Sequence, residues 1–270
     1  LLMSATPIPR TLAASLFSDM KVSTIETMPA GRKQPLTQLI LENSFRSVLD
    51  EVNALLEEGH QLYVICAAVD ENEAFKARDV NKMYVNLSKL FYPRKVGMLH
   101  GQMSSDEKQS VMDAFAKNEI QILVSTTVVE VGMNVVNATG MIIYDADRFG
   151  LSQLHQLRGR IQRGNAVGKC WLLTDNKSED VKERLNVLVK TTNGFEISYE
   201  DLRLRGPGDI LGTRQSGVPD LILGNLYEDT KMIGVCRKDA KLIVEHCDQT
   251  DYISIIESVK QRRAQSAYID

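Results

Sequence analysis

The chain has 270 residues, 43% of them hydrophobic and 25% charged, and a formal net charge of −3. That composition suits one large globular domain or two small ones, and it excludes a generally basic nucleic-acid coat, so any contact with nucleic acid has to come from a local patch. No apolar run approaches a membrane-spanning length, nothing at the start resembles a signal peptide, and Cys66, Cys170, Cys236 and Cys247 show no C-x-x-C spacing, so neither a zinc site nor a redox pair is expected and a reducing cytoplasm fits.

The chain opens on Leu1-Leu2-Met3-Ser4 without an initiator methionine and reads as a piece of a longer polypeptide. Ser4-Ala5-Thr6-Pro7 follows an apolar run. Its small hydroxyls could hydrogen-bond across a cleft, and Thr6 could equally cap a helix with Pro7 in the first turn. Pro29–Lys33 is the expected linker. Over Ser44–Glu58 the residues Phe45, Val48, Leu49, Val52, Leu55 and Leu56 recur with a helical period, with Ser44 as cap and Gly59 as stop. Asn72–Phe91 carries Val80, Met83, Tyr84, Leu87 and Phe91 on one stripe. Ser104-Ser105-Asp106-Glu107 is a capping-box pattern. Five short apolar runs alternate with these helices: Leu62–Val69, Val96–His100, Ile120–Thr126, Met141–Tyr144 and Cys170–Leu173. Continuous apolar runs suit parallel strands covered on both faces, with Cys66 and Cys170 as buried thiols. The alternation predicts a doubly wound α/β sheet with right-handed crossovers. From about Thr191 the strand rhythm stops. A Gly-rich stretch, expected to be a shaped loop, precedes helices across Leu226–His246 and Ile253–Gln265.

Three places could carry chemistry. His100-Gly101-Gln102 lies where a strand ends and a capped helix begins, the edge at which open α/β sheets bind ligands; it is also compatible with a plain turn. Ser125-Thr126-Thr127, followed by Glu130, Gly132 and Asn134, offers hydroxyls and amides that suit either phosphate oxygens or helix capping. Gln153–Gly164, Q-L-H-Q-L-R-G-R-I-Q-R-G, places Arg158, Arg160 and Arg163 within six positions beside Gln156 and Gly159. Guanidinium forks match phosphate oxygens in paired contacts, and such a cluster repels itself unless an anion sits among its members. A solvated basic helix end is the alternative. No G-x-x-x-x-G-K-[ST] occurs, nor a strand-end acidic pair for Mg²⁺.

The order S-A-T-P, L-H-G-Q-M-S, L-V-S-T-T-V-V-E-V-G and Q-L-H-Q-L-R-G-R-I-Q-R-G resembles the later motifs of superfamily 2 helicases. With Asp147–Ser152 and R-G-P-G-D-x-L-G-T-R-Q-S-G, the chain is similar to the RecG family of ATP-dependent branched-DNA helicases from Leu2 to about Leu226. The resemblance implies a RecA-like parallel sheet with helices on both faces, followed by a helical and loop translocation element. Residues 1–31 would be the tail of a first motor lobe and linker, 32–190 the second lobe, 191–226 a translocation motif and 227–270 a helical segment. Ser4, Ala5 and Thr6 would couple nucleotide state to DNA movement. His100, Gly101, Gln102, Thr126 and Thr127 would touch DNA, and Gly132, Asn134 and Gly159 the nucleotide. Arg160 and Arg163 would be arginine fingers beside Gln156, with Arg205, Arg214 and Gln215 turning lobe closure into a stroke. The implied cofactors are ATP and Mg²⁺, held mainly by a first lobe outside this sequence. The implied partners are branched duplex DNA and the first lobe and wedge domain of the same polypeptide. Gln162 and Val136 stand where this family has glycine and proline, and Asn134 where the superfamily often has Asp. The corresponding lobe of a transcription-repair coupling factor and a non-catalytic DNA-binding or docking module are the alternative readings.

Overall fold

The computed structural model describes residues 3, 23, 25, 33–41, 44–67, 73–126, 135–161, 166–205 and 230–266. Six strands form one parallel sheet: β1 (Leu36–Leu41), β2 (Gln61–Cys66), β3 (Val96–Leu99), β4 (Ile122–Ser125), β5 (Ala138–Tyr144) and β6 (Lys169–Thr174). Their spatial order is β1-β6-β5-β2-β4-β3. Four of the five expected runs are central strands. Their continuous apolar character follows from helices on both faces. β1 is the strand that apolar runs do not reveal. It is an edge strand with an alternating exposure pattern, so it needs only one apolar face.

The alternation of side chains divides the core in two. Tyr63, Ile65, Leu123, Met141, Ile143, Cys170 and Leu172 point to one face and join Phe115, Leu154, Leu157 and Leu185. Leu62, Val64, Cys66, Ile122, Val124, Ile142, Trp171 and Leu173 point to the other and join Val48, Val52, Leu55, Val80, Leu87 and Phe91. The second face is covered by α1 (Arg46–Glu57) and α2 (Glu73–Leu90). The first is covered by α3 (Ser105–Ala116), α4 (Leu151–Arg158) and α5 (Glu179–Lys190), with α6 (Gly194–Arg205) packed on α4 and α5. The two expected buried thiols, Cys66 and Cys170, sit one on each face, and burial pushes the Cys170 thiol up to about 12.

The caps follow local chemistry, with one correction. Ser104 caps α3: its Oγ accepts from Glu107 N at 3.2 Å, and Glu107 Oε2 accepts from Ser104 N at 2.8 Å. The bond from Ser104 N, and a second from Ser104 Oγ at 2.9 Å, hold the Glu107 carboxyl below its ordinary range. Gly59, at φ +84°, ends α1 as expected; His60 N donates to Leu55 O and Gly59 N to Leu56 O, both at 3.2 Å. Ser44 does not cap α1. Phe45 occupies the cap position in helical conformation with no side-chain hydrogen bond, and Ser44 instead accepts, through its carbonyl, from Ser47 Oγ.

Residues 194–205 were expected within a loop and are helical. Asn193 Oδ1 accepts from Phe195 N at 2.9 Å, and Thr191 Oγ1 donates to Glu196, so the polar residues that suggested a loop are a helix cap. The sheet and its helices through Arg205 make one compact unit; α7 (Thr230–Glu245) and α8 (Thr250–Ser266) belong to another. Among the described residues, no helix is long and apolar enough to cross a membrane.

Candidate nucleotide and nucleic-acid interface

Two groups of candidate residues fall at opposite edges of the sheet. The first is at the C-terminal edge. Leu99 of β3 pairs with Ser125 of β4, and Thr126 N donates to Leu99 O at 3.4 Å, so His100–Gln102 and Thr126 are neighbours. Gly101 and Gln102 are exposed and His100 is half-buried, its Nδ1 having no partner among the described residues. Thr126 is buried, and Ser125 Oγ donates to Thr126 O at 2.8 Å. Lys108, from the first turns of α3, donates to Gly101 O at 2.8 Å. It adds a cation to this turn that motif spacing alone did not single out.

The second group is on α4. Leu151, Leu154, Leu157, Arg158 and Ile161 are buried, whereas Gln156 is exposed and Gly159 and Arg160 are half-exposed. Residues at i, i+3 and i+4 share a helix face, so Gln156, Gly159 and Arg160 stand together at the end of α4. The turn is closed by Arg160 N donating to Leu157 O at 2.9 Å and Ile161 N to Arg158 O at 3.2 Å. This end meets the starting edge of the sheet: a Cβ on Gly168, just before β6, would lie 2.6 Å from Ile161 O, and Leu36 N of β1 donates to Gly168 O at 2.8 Å.

Arg158 corrects the expectation of a three-arginine cluster. Its guanidinium turns inward, donating to Thr37 Oγ1 at 3.2 Å, Thr191 O at 3.1 Å, His155 Nδ1 at 3.1 Å and the carbonyl of Leu188. Leu188 and Thr191 end α5, where helix carbonyls concentrate negative charge, and that charge does what a phosphate was expected to do for this arginine. Burial pulls the guanidinium below its ordinary range, though still cationic at neutral pH. Because Arg158 can only donate, His155 Nδ1 must accept, and its ring proton is on Nε2.

Burial first, then the Arg158 charge, lowers His155 to about 4. A histidine held neutral in the fold stabilises it fully above the unfolded value near 6.5 and loses that contribution as pH falls toward 4. The urea midpoint is therefore expected to drop between pH 7 and pH 5, and His155→Gln to flatten that part of the curve. An unchanged pH profile in the variant would show that His155 is not the group responsible.

Sequence reasoning also missed Arg184. From α5 it donates to Phe149 O at 2.7 Å and to Asp147 O, while Thr174 Oγ1 donates to Asp147 Oδ1 at 2.5 Å. These bonds clamp the Asp147–Gly150 turn that opens α4.

Sequence and structure comparisons give one answer. The helicase conserved C-terminal domain matches residues 44–165, and the C-terminal part of domain 3 of the ATP-dependent DNA helicase RecG matches residues 191–265. The ATP-dependent DNA helicase RecG of Staphylococcus aureus is 47% identical over 246 residues, covering 91% of this chain and 36% of that protein. RecG of Staphylococcus epidermidis is 46% identical over 264 residues, covering 97% and 39%. A solved structure of RecG bound to a three-way DNA junction superposes with a TM-score of 0.68 at 38% identity, covering 86% of this chain and 30% of that one.

The chain belongs to the RecG family. It thus spans well under half the length of the RecG proteins it matches. Its sheet has the RecA-like fold of a helicase C-terminal lobe, as the motifs implied. Of the residues the RecG resemblance singled out, His100, Gly101, Gln102, Thr126, Gln156, Gly159 and Arg160 have the places given above. Ser4, Ala5, Thr6, Thr127, Gly132, Asn134, Gln162, Arg163, Arg214 and Gln215 lie outside the described residues, as does the side chain of Arg205, which ends α6.

Proposed function

We propose that this chain is the second motor lobe of an ATP-dependent translocase acting on branched duplex DNA, with Arg160 and Arg163 as its arginine fingers. The observation that carries the reading is the register of α4. The residues that resemble the RecG finger motif, Gln156, Gly159 and Arg160, are the ones turned away from the core, and the one arginine outside that pattern, Arg158, is the one turned into it. Amide and guanidinium donors suit phosphate oxygens. Mg²⁺ would be held mainly by the first lobe, on the other wall of the site. ATP would supply the transferable phosphoryl group; Arg160 and Arg163 would meet the charge that develops on it beside Gln156, and Gly132, Asn134 and Gly159 would touch the nucleotide, Asn134 with a hydrogen bond to its ribose. Fingers on one lobe reach a nucleotide on another only when the lobes close, which ties turnover to motion.

DNA would run along the other edge, on His100, Gly101, Gln102 and Thr127, with Thr126 joining if the strand end opens. Ser4, Ala5, Thr6, Arg205, Arg214 and Gln215 would pass closure on to the DNA. The RecG structure on a three-way junction supports a branched substrate. The match of residues 191–265 to domain 3 of RecG and the 47% identity to RecG favour this lobe over that of a transcription-repair coupling factor.

Alone, the chain is expected to bind duplex weakly, with little sequence preference. If it neutralises two or three phosphates, affinity falls roughly 10–40-fold between 50 and 200 mM salt. Fluorescence anisotropy on linear and three-way duplexes at both salts checks this, alongside ATP turnover by the same preparation. Affinity indifferent to salt would remove the DNA role, and robust turnover by the chain alone would show that the site is not shared between lobes.

A further inference from the structure

Arg158 is 2% exposed and keeps a positive charge, yet no carboxylate among the described residues pairs with it. Apolar residues of similar volume often replace buried ionic groups without loss of stability, so the cation calls for a further explanation. Its acceptors come from four places: Thr37 of β1, His155 one turn back on α4, Leu188 of α5, and Thr191, which leads into α6. Only a planar fork with five donors spans them; an ammonium has three and cannot. The backbone adds to the hold. Arg158 O accepts from Ile161 N and Leu157 O from Arg160 N, so Arg160 is bracketed inside a turn whose root is pinned by the Arg158 side chain.

We propose that Arg158 is a positioning residue for the reaction: it fixes the turn bearing Gly159 and Arg160 against the ends of β1 and α5, so that Arg160 meets the transferring phosphoryl group at one set distance. The inference rests on the reading of Arg160 given above. It makes α4 a lever end with a fixed root, because a finger is useful only if its backbone does not yield when the guanidinium takes up charge.

The test is steady-state ATP hydrolysis, saturated with branched duplex, by a two-lobed polypeptide carrying Arg158→Lys, Arg160→Ala or both. Arg158→Lys is expected to lower kcat about 10–10²-fold, with the KM for ATP and the affinity for DNA within about twofold. It should add nothing to the loss already present in Arg160→Ala, since it acts through that residue. An unchanged kcat in Arg158→Lys, or losses that multiply in the double variant, overturns the inference and leaves Arg158 a folding element. Should Arg158→Lys fail to fold, Thr37→Val decides by the same comparison, because it removes one acceptor and keeps the guanidinium. Full turnover by Arg160→Ala would instead remove the finger reading itself, and with it the basis for this role.

Discussion

Alanine at Arg163, in a polypeptide that carries both motor lobes, is expected to lower DNA-stimulated ATP turnover by about 10³-fold or more, and alanine at Arg160 to do the same, with DNA affinity changed by less than about threefold. The size of the effect follows from when the contact is made. A guanidinium that meets charge only as the phosphoryl group transfers lowers the barrier without tightening the ground state, so kcat carries the loss and KM little of it. Lysine should not rescue either position, because a point charge on a flexible stem does not reproduce paired contacts. DNA binding should be spared, because the turn proposed to meet DNA, His100–Gln102, sits at the C-terminal edge of the sheet, whereas Arg160 sits at the end of α4, beside the starts of β1 and β6. Stopped turnover and fork binding, measured on one preparation, give the discriminating pair. Near-normal turnover in both variants would sink the finger assignment. A parallel collapse of DNA binding would mean that the two edges are not separate.

The sheet was legible because its central strands are covered on both faces and so are apolar throughout: Gln61–Cys66 is buried at every position. β1 escaped notice for the complementary reason, since an edge strand with one solvent face carries half the signal. The helix over 194–205 was hidden by its own cap. Thr191, Asn193, Gly194 and Glu196 are residues that favour loops, and here Asn193 satisfies the free amide of Phe195 while Thr191 and Glu196 bond to each other beside it. Arg158 could have been found. Leu151, Leu154, Arg158 and Ile161 recur at helical spacing, and that stripe is the buried one, whereas Gln156 and Arg160 are four apart on the other. Counting the arginines as one cluster obscured the period. No local pattern could have announced Thr37 as a partner, because Thr37 and Arg158 are 121 positions apart and meet only through the sheet.

Two glycines near this helix end are expected to respond in opposite ways to alanine, and the contrast separates packing from chemistry. At Gly168 the added methyl would lie 2.6 Å from the backbone oxygen of Ile161. Backbone cannot swing aside as a side chain can, so the end of α4 and the start of β6 must part, at a cost of about 1–3 kcal/mol of stability that lowers the urea midpoint. At Gly159 the backbone is helical, φ −60° and ψ −16°, so no left-handed conformation demands glycine. The nearest atoms to its missing methyl are carbonyl oxygens of the preceding turn, at 3.2 Å from Gln156 and 3.5 Å from His155. That is tight but local, and the lower freedom of an unfolded alanine offsets it, so stability should stay within about 0.5 kcal/mol of the original. If nothing outside the lobe used this space, Gly159→Ala would be silent. With a nucleotide closing over the Gln156–Arg160 face, the methyl occupies the room the phosphates need, and turnover in the two-lobed protein should fall about 10–10²-fold. Gly168→Ala should show the reverse: a lower midpoint, with turnover per folded molecule largely kept. Wild-type turnover from a stable Gly159→Ala protein would mean that the face at the end of α4 receives no ligand, whatever its arginines suggest.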